Sequence, residues 1–147
     1  MPLKIIPNII SPELLFILAS MGHGDEIVLA DAHFPSSSIC REGPKEVRAD
    51  GIKIPQLLDA ILTLLPLDQY VTTPVSLMDL VPSDKAKGLK TPVWDEYKTI
   101  IDKHEQQKVE LVERFAFYER AKKAFAVVHT GETAQYGNII LKKGVAL

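Results

Sequence analysis

Apolar positions recur along the chain with two spacings, and the switches between them mark out helices and strands. Leu14, Leu15, Leu18 and Met21 fall on one face at helical spacing. Ser11-Pro12-Glu13 ahead of them supplies a capping hydroxyl, a proline at the first helical position and an acid at the positive end of the dipole. Gly22 stands where a left-handed C-terminal residue is wanted, so the helix is expected to end there. Glu26-Ile27-Val28-Leu29-Ala30-Asp31 then has the length and apolar middle of a strand buried on both faces.

The alternation continues to the C-terminus. Residues 46–50 read as a short strand closed by Gly51, and Pro55 opens a helix carrying Leu57, Leu58, Ile61, Leu62 and Leu65 until Pro66 stops it. Residues 75–81 read as a strand, and the polar, proline-bounded stretch 82–92 as an exposed and mobile excursion. Beyond it the pattern predicts a helix over 94–103, a strand over 109–113, a helix over 114–124, and strands over 125–129 and 138–141. Strands interleaved with helices predict α/β layers. At 147 residues, with neither repeat nor linker, the expectation is one domain over 1–147.

Composition narrows the partners. With 17 Lys+Arg against 19 Asp+Glu, the formal charge of −2 gives no overall field toward nucleic acid or anionic lipid. The single cysteine, Cys40, closes no disulfide within the chain and points to the cytoplasm. No run of about 18 uncharged apolar residues is present, so no membrane span is expected.

The usual phosphate, dinucleotide, zinc and serine-nucleophile signatures are missing. The dense polar cluster is His23, Asp25, Glu26, Asp31 and His33, set around the apolar strand. Glycines on both sides of His23 admit a tight turn and a close ligand, and an imidazole ordinarily titrates near neutrality, which suits proton transfer. His23 capping the preceding helix is an equal reading. Asp31 stands at a strand end, where ligand crevices form in open α/β sheets, and equally caps a turn. A divalent ion among these carboxylates and histidines stays open as a third reading, although helical i, i+4 ligand spacing is lacking. Residues 114–123 mix aromatic and basic side chains, but Phe115, Tyr118 and Phe125 at helical spacing are expected to face the core or a pocket, with Glu119 paired to Lys123. Tyr136-Gly137-Asn138 brings a phenol and an amide around a glycine, apt for binding hydroxyls or for a plain turn.

Taken together, Ser11-Pro12-Glu13-Leu14-Leu15, Met21 through Ile27, and Asp31-Ala32-His33-Phe34-Pro35 resemble the L-fucose mutarotase and D-ribose pyranase family, the RbsD/FucU family. Arg48-Ala49-Asp50-Gly51, residues 114–121, Thr130-Gly131-Glu132 and Tyr136-Gly137-Asn138 extend the resemblance over nearly the whole chain. It favours the fucose branch, and Pro82-Ser83-Asp84 with Thr91-Pro92-Val93-Trp94 look like its animal members.

The resemblance implies an RbsD-like three-layer α/β/α protomer with a mixed central sheet. It further implies an isomerase without cofactor or metal that interconverts the anomers of L-fucose, with ribose pyranase activity beside it. Ring-like homo-oligomers with pockets at subunit contacts are implied too. By motif position His23 is the expected acid/base residue, and Asp31, Asp68, Met78, Tyr118, Tyr136 and Asn138 are expected to line the sugar site. Met78 is an apolar wall for the methyl group of a 6-deoxy sugar, worth at most about 1–3 kcal/mol of preference. The competing reading is a sugar-binding or regulatory module that moves no proton.

Overall fold

In the computed structural model, which describes residues 2–147, the apolar runs become the strands of one mixed sheet. The strands are β1 (Glu26–Ala30), β2 (Lys45–Ala49), β3 (Val75–Met78), β4 (Val109–Val112), β5 (Ala126–Thr130) and β6 (Ile139–Lys142), and the helices are α1 (Pro12–Ser20), α2 (Ser36–Cys40), α3 (Ile54–Leu64), α4 (Pro82–Ala86), α5 (Pro92–His104) and α6 (Arg114–Ala121). The sheet order is β2-β5-β1-β6-β3-β4. β1 and β2 run parallel to β5, and β3 runs parallel to β4, while β6 lies antiparallel between β1 and β3. The carboxyl ends of β1 to β5 and the start of β6 therefore share one sheet edge.

Alternation along the strands sorts the core into two sheets of contacts. Ile27, Leu29, Leu77, Val128 and Leu141 pack with the buried residues of α1, α3 and α5 on one face. Val28, Ala30, Met78, Val127 and Ile140 pack with Phe34, Ile39, Phe117 and Ala121 on the other. A central strand covered on both sides is what a continuous apolar run dictates, and the outcome is the expected three-layer α/β/α arrangement.

Local chemistry fixes the element ends. Ser11 Oγ accepts from the Leu14 N–H at 3.1 Å, the cap expected of it. Gly22 does not supply the left-handed residue; Gly24, at φ 88°, does, and α1 ends earlier on an extended Met21. The free carbonyls of α1 are taken by Lys143, whose Nζ donates to Leu18 O at 3.0 Å and Met21 O at 2.5 Å. The excursion over 82–92 is not all loop, because α4 forms there with none of its residues buried. Periodicity had no apolar face to detect in it, nor in the equally short α2. The last turn expected of α6 is absent, the helix ending at Ala121. Within it Phe117 is in the core, while Phe115, 61% exposed, is outside the core and lines a surface pocket beside Tyr118. Glu119 pairs with Lys122 at 3.0 Å rather than with Lys123.

Candidate active site

Loops at the shared sheet edge enclose a cavity of about 320 Å³. Asp31 enters it directly after β1, Met78 from the end of β3, Tyr118 from α6, and Tyr136 and Asn138 from the turn before β6. The reversed strand β6 is what brings the last pair in, since its start lies beside the end of β1.

Hydrogen bonds lock the lining of this cavity. Asn138 Oδ1 accepts the Asp31 N–H at 2.7 Å, joining segments far apart in sequence. Asp31 Oδ1 in turn accepts the His33 N–H at 3.0 Å, an Asx turn that aims the carboxyl group. Burial pushes the Asp31 carboxyl pKa up, against smaller lowering effects from the His33 and Phe34 N–H groups and the His33 and His129 charges. Tyr118 is set edge-on to Phe34, with ring centroids 5.6 Å apart. Met78, only 4% exposed, gives the cavity an apolar wall.

Arg114 also lines the cavity. Its Cζ lies 4.5 Å above the Phe115 ring, and its buried Nε has no hydrogen-bond partner among the described residues. A buried guanidinium donor left unpaired costs free energy. Arg114 is the first residue of α6 after β4, so its place at a strand end is the signal that could have found it.

His23 and Asp68 lie at the other sheet edge. His23 sits in the turn before β1, where Asp25 Oδ2 accepts the Gly22 N–H at 2.7 Å and the Gly24 N–H donates to Lys143 O at 2.8 Å. Asp68 is held beside β6 by its own N–H, which donates to Lys142 O at 3.0 Å. His23 Nε2 meets Asp68 Oδ1 at 2.9 Å. Burial alone pushes the Asp68 carboxyl up, but the Tyr70 N–H, the His23 hydrogen bond and the His23 and Lys142 charges outweigh it and hold the group below its usual range. The imidazole is 45% exposed, and capping of α1 falls to Lys143 instead.

The polar cluster of the sequence is thereby divided. Strands advance about 3.3 Å per residue, so β1 keeps His23, Asp25 and Glu26 roughly 15 Å or more from Asp31 and His33. No group of three or more His, Cys, Asp or Glu side chains is gathered for a metal among the described residues. Glu26 pairs instead with Arg120 at 2.6 Å. Cys40 is half-buried and its thiol is pushed up to about 11 by burial and the Glu46 charge.

The profile of the RbsD / FucU transport protein family matches residues 4–146. The chain belongs to that family. It is 67% identical over 143 residues to the fucose mutarotase of Mus musculus, covering 97% of this chain and 94% of that one. It is similar in structure to the fucose mutarotase of Streptococcus pneumoniae solved in complex with L-fucose, at TM-score 0.91 and 49% identity over 99% of this chain and 100% of that one. Bacillus subtilis RbsD complexed with D-ribose shares the RbsD / FucU fold, at TM-score 0.72 and 24% identity over 93% of this chain and 95% of that one. Among the described residues no helix is long and apolar enough to cross a membrane. In this member of the family the aromatic and basic stretch over 114–123 gives Phe117 to the core and Arg120 to Glu26 and Glu110.

Proposed function

We propose that this chain, acting as one domain in the cytoplasm, is an L-fucose mutarotase that interconverts the α and β anomers by acid/base ring opening and closure, with D-ribose pyranase activity beside it. The observation that carries the reading is the convergence of Asp31, Arg114, Tyr118, Tyr136 and Asn138 on one cavity beside the apolar Met78. Carboxylate, guanidinium, phenol and amide groups together match a ring of hydroxyls, and the thioether side chain suits the methyl group of a 6-deoxy sugar.

Mutarotation removes the proton of the anomeric hydroxyl and delivers one to the ring oxygen. The bond from C1 to the ring oxygen breaks, the aldehyde turns about C1–C2, and reclosure on its other face returns both protons. The C1–oxygen bond pair goes to the ring oxygen as the hydroxyl oxygen forms the carbonyl, with no net oxidation or reduction. Asp31, which enters the cavity and whose carboxyl pKa burial raises, is suited to exchange a proton on one side of the sugar. Arg114, which lines the cavity, brings a positive charge to the oxygen that gains negative charge.

The second proton-transfer group is His23, reaching the sugar from a neighbouring copy of the chain. Within one protomer the His23–Asp68 pair and the cavity stand at opposite sheet edges, too far apart for one pyranose. A homo-oligomer that lays this pair over the cavity of the next subunit completes the constellation, and its repetition from subunit to subunit builds a ring. With Asp68 accepting from Nε2–H, Nδ1 is the nitrogen left for the substrate.

Saturation-transfer NMR on L-fucose is the test. Protein-dependent α/β exchange is expected, and binding without accelerated exchange would instead leave a sugar-binding module.

A further inference from the structure

The Tyr136 phenol is fixed from both ends. Its backbone is left-handed at φ 58°, an unusual state for a tyrosine. Trp94 Nε1 donates to Tyr136 O at 2.8 Å, and the Tyr97 hydroxyl donates to Gly137 O at 2.7 Å. At the far end the Tyr136 hydroxyl donates to Asp84 Oδ2 at 2.5 Å and accepts the Val81 N–H at 3.2 Å.

Asp84 belongs to α4, the short exposed helix over the cavity. That helix buries none of its residues, so packing does not explain its position. Lys85 ties it to Asp79 at 2.7 Å on one side, and Asp84 ties it to the phenol on the other.

A phenol has one proton to donate and two lone-pair directions for accepting. The proton is spent on a carboxylate, a strong acceptor at short range, and the Val81 N–H occupies one accepting direction. Tyr136, one of the residues lining the cavity, is left with an oxygen that can only accept.

We propose that Asp84 is a positioning residue of the sugar site, which takes the Tyr136 hydroxyl proton so that the phenol meets the sugar solely as a hydrogen-bond acceptor. The inference rests on the mutarotase reading and deepens it. Tyr136 then selects for a sugar hydroxyl that donates, and it is not the acid that serves the ring oxygen. The proton work stays with the other groups, and α4 acts on the site through one side chain.

A double-mutant cycle on the L-fucose exchange rate tests this, with Asp84→Ala, Tyr136→Phe and the pair combined. Each single variant is expected to lower kcat/KM about tenfold, the equivalent of one hydrogen bond. The combined variant is expected to match Tyr136→Phe within about twofold, because Asp84 has nothing left to act through. Losses that multiply overturn the proposal. Asp84→Asn, which keeps an acceptor oxygen, is expected to stay within about threefold of wild type. A fall as deep as that of Asp84→Ala overturns it as well. Absence of exchange in the wild-type protein is a different result, which removes the mutarotase reading itself.

Discussion

Asp68 grips His23 through a carboxylate oxygen that is itself pinned, since Oδ1 stands 2.9 Å from His23 Nε2 and accepts the Tyr70 N–H at 3.0 Å. The carboxylate side chain is 4% exposed and the imidazole 45%, so a buried anchor presents a reachable ring. The Tyr70 ring, 5.2 Å from the imidazole and tilted by 49°, walls one side. This is how a tautomer and an orientation are set before any substrate arrives.

Removing either partner therefore has different consequences. His23→Ala is expected to lower the exchange rate by about 10² to 10⁴-fold, the usual contribution of a positioned acid/base group. Asp68→Asn keeps the shape and is expected to lose less, about tenfold to a hundredfold. Its stability effect has a definite sign. The Asp68 pKa is depressed in the fold, so its contribution is present above the unfolded value of about 3.9 and disappears as pH falls through the lower folded value. Melting curves of wild type and Asp68→Asn should differ at neutral pH and converge in acid. A gap that widens in acid contradicts the assignment.

The proposed completion of the site between copies predicts complementation. His23→Ala and Asp31→Asn are each expected to be nearly inactive alone. Co-expressed, they should recover about a quarter of wild-type exchange, the fraction of random pairings that carry both intact halves. Recovery that stays at the level of the single variants means each chain works by itself. Sedimentation of the same mixtures checks that assembly is unchanged.

The elements were readable because local chemistry writes them. Pro12 and Pro55 start helices, Pro66 lies just beyond one, and the run from Ile27 to Ala30 is apolar enough to demand cover on both faces. What could not be read was which elements become neighbours. Inserting β6 in reverse between β1 and β3 is a decision made by pairing distant segments, and it alone puts Asn138 against Asp31. The same blindness made His23 and His33 look like one cluster, although a strand's length separates them. The motif resemblance supplied the candidate residues, but their separation onto opposite edges of the sheet needed the fold.

Asp31 offers a case where function and stability should oppose each other. Burial is the main cause of its raised pKa, so the fold disfavours the charged form of this group. Relative to the unfolded chain, a group shifted upward gives its stabilisation below the unfolded pKa and loses it as pH rises through the folded one. Asp31→Asn preserves an acceptor for the His33 N–H and carries no charge to desolvate. It is expected to raise Tm at neutral pH while lowering exchange by about 10² to 10⁴-fold. The Tm advantage should shrink on acidification. A variant both inactive and less stable at neutral pH shows that the carboxylate is held for structural reasons.

A last prediction concerns the scaffold rather than the pocket. Arg120 joins two carboxylates across the sheet face, with Glu26 at 2.6 Å and Glu110 at 2.8 Å, and Glu110 also accepts from Ser76 Oγ at 2.8 Å. The guanidinium is 26% exposed and Glu26 only 15%, so the interactions are partly shielded from water. Arg120→Ala leaves both acids without their cation, and after allowance for screening it should cost about 2 kcal/mol. Burial raises the Glu110 pKa, but the hydrogen bonds from Arg120, Ser76 and Thr73 and the Arg120 charge outweigh it and hold the group low. Its stabilisation is therefore full above the unfolded pKa of about 4.3 and is lost as pH falls through the folded value. Urea melts should show the largest difference between wild type and Arg120→Ala near neutrality and a smaller one below about pH 4. A difference independent of pH would assign the loss to the side chain's packing instead of to its charge.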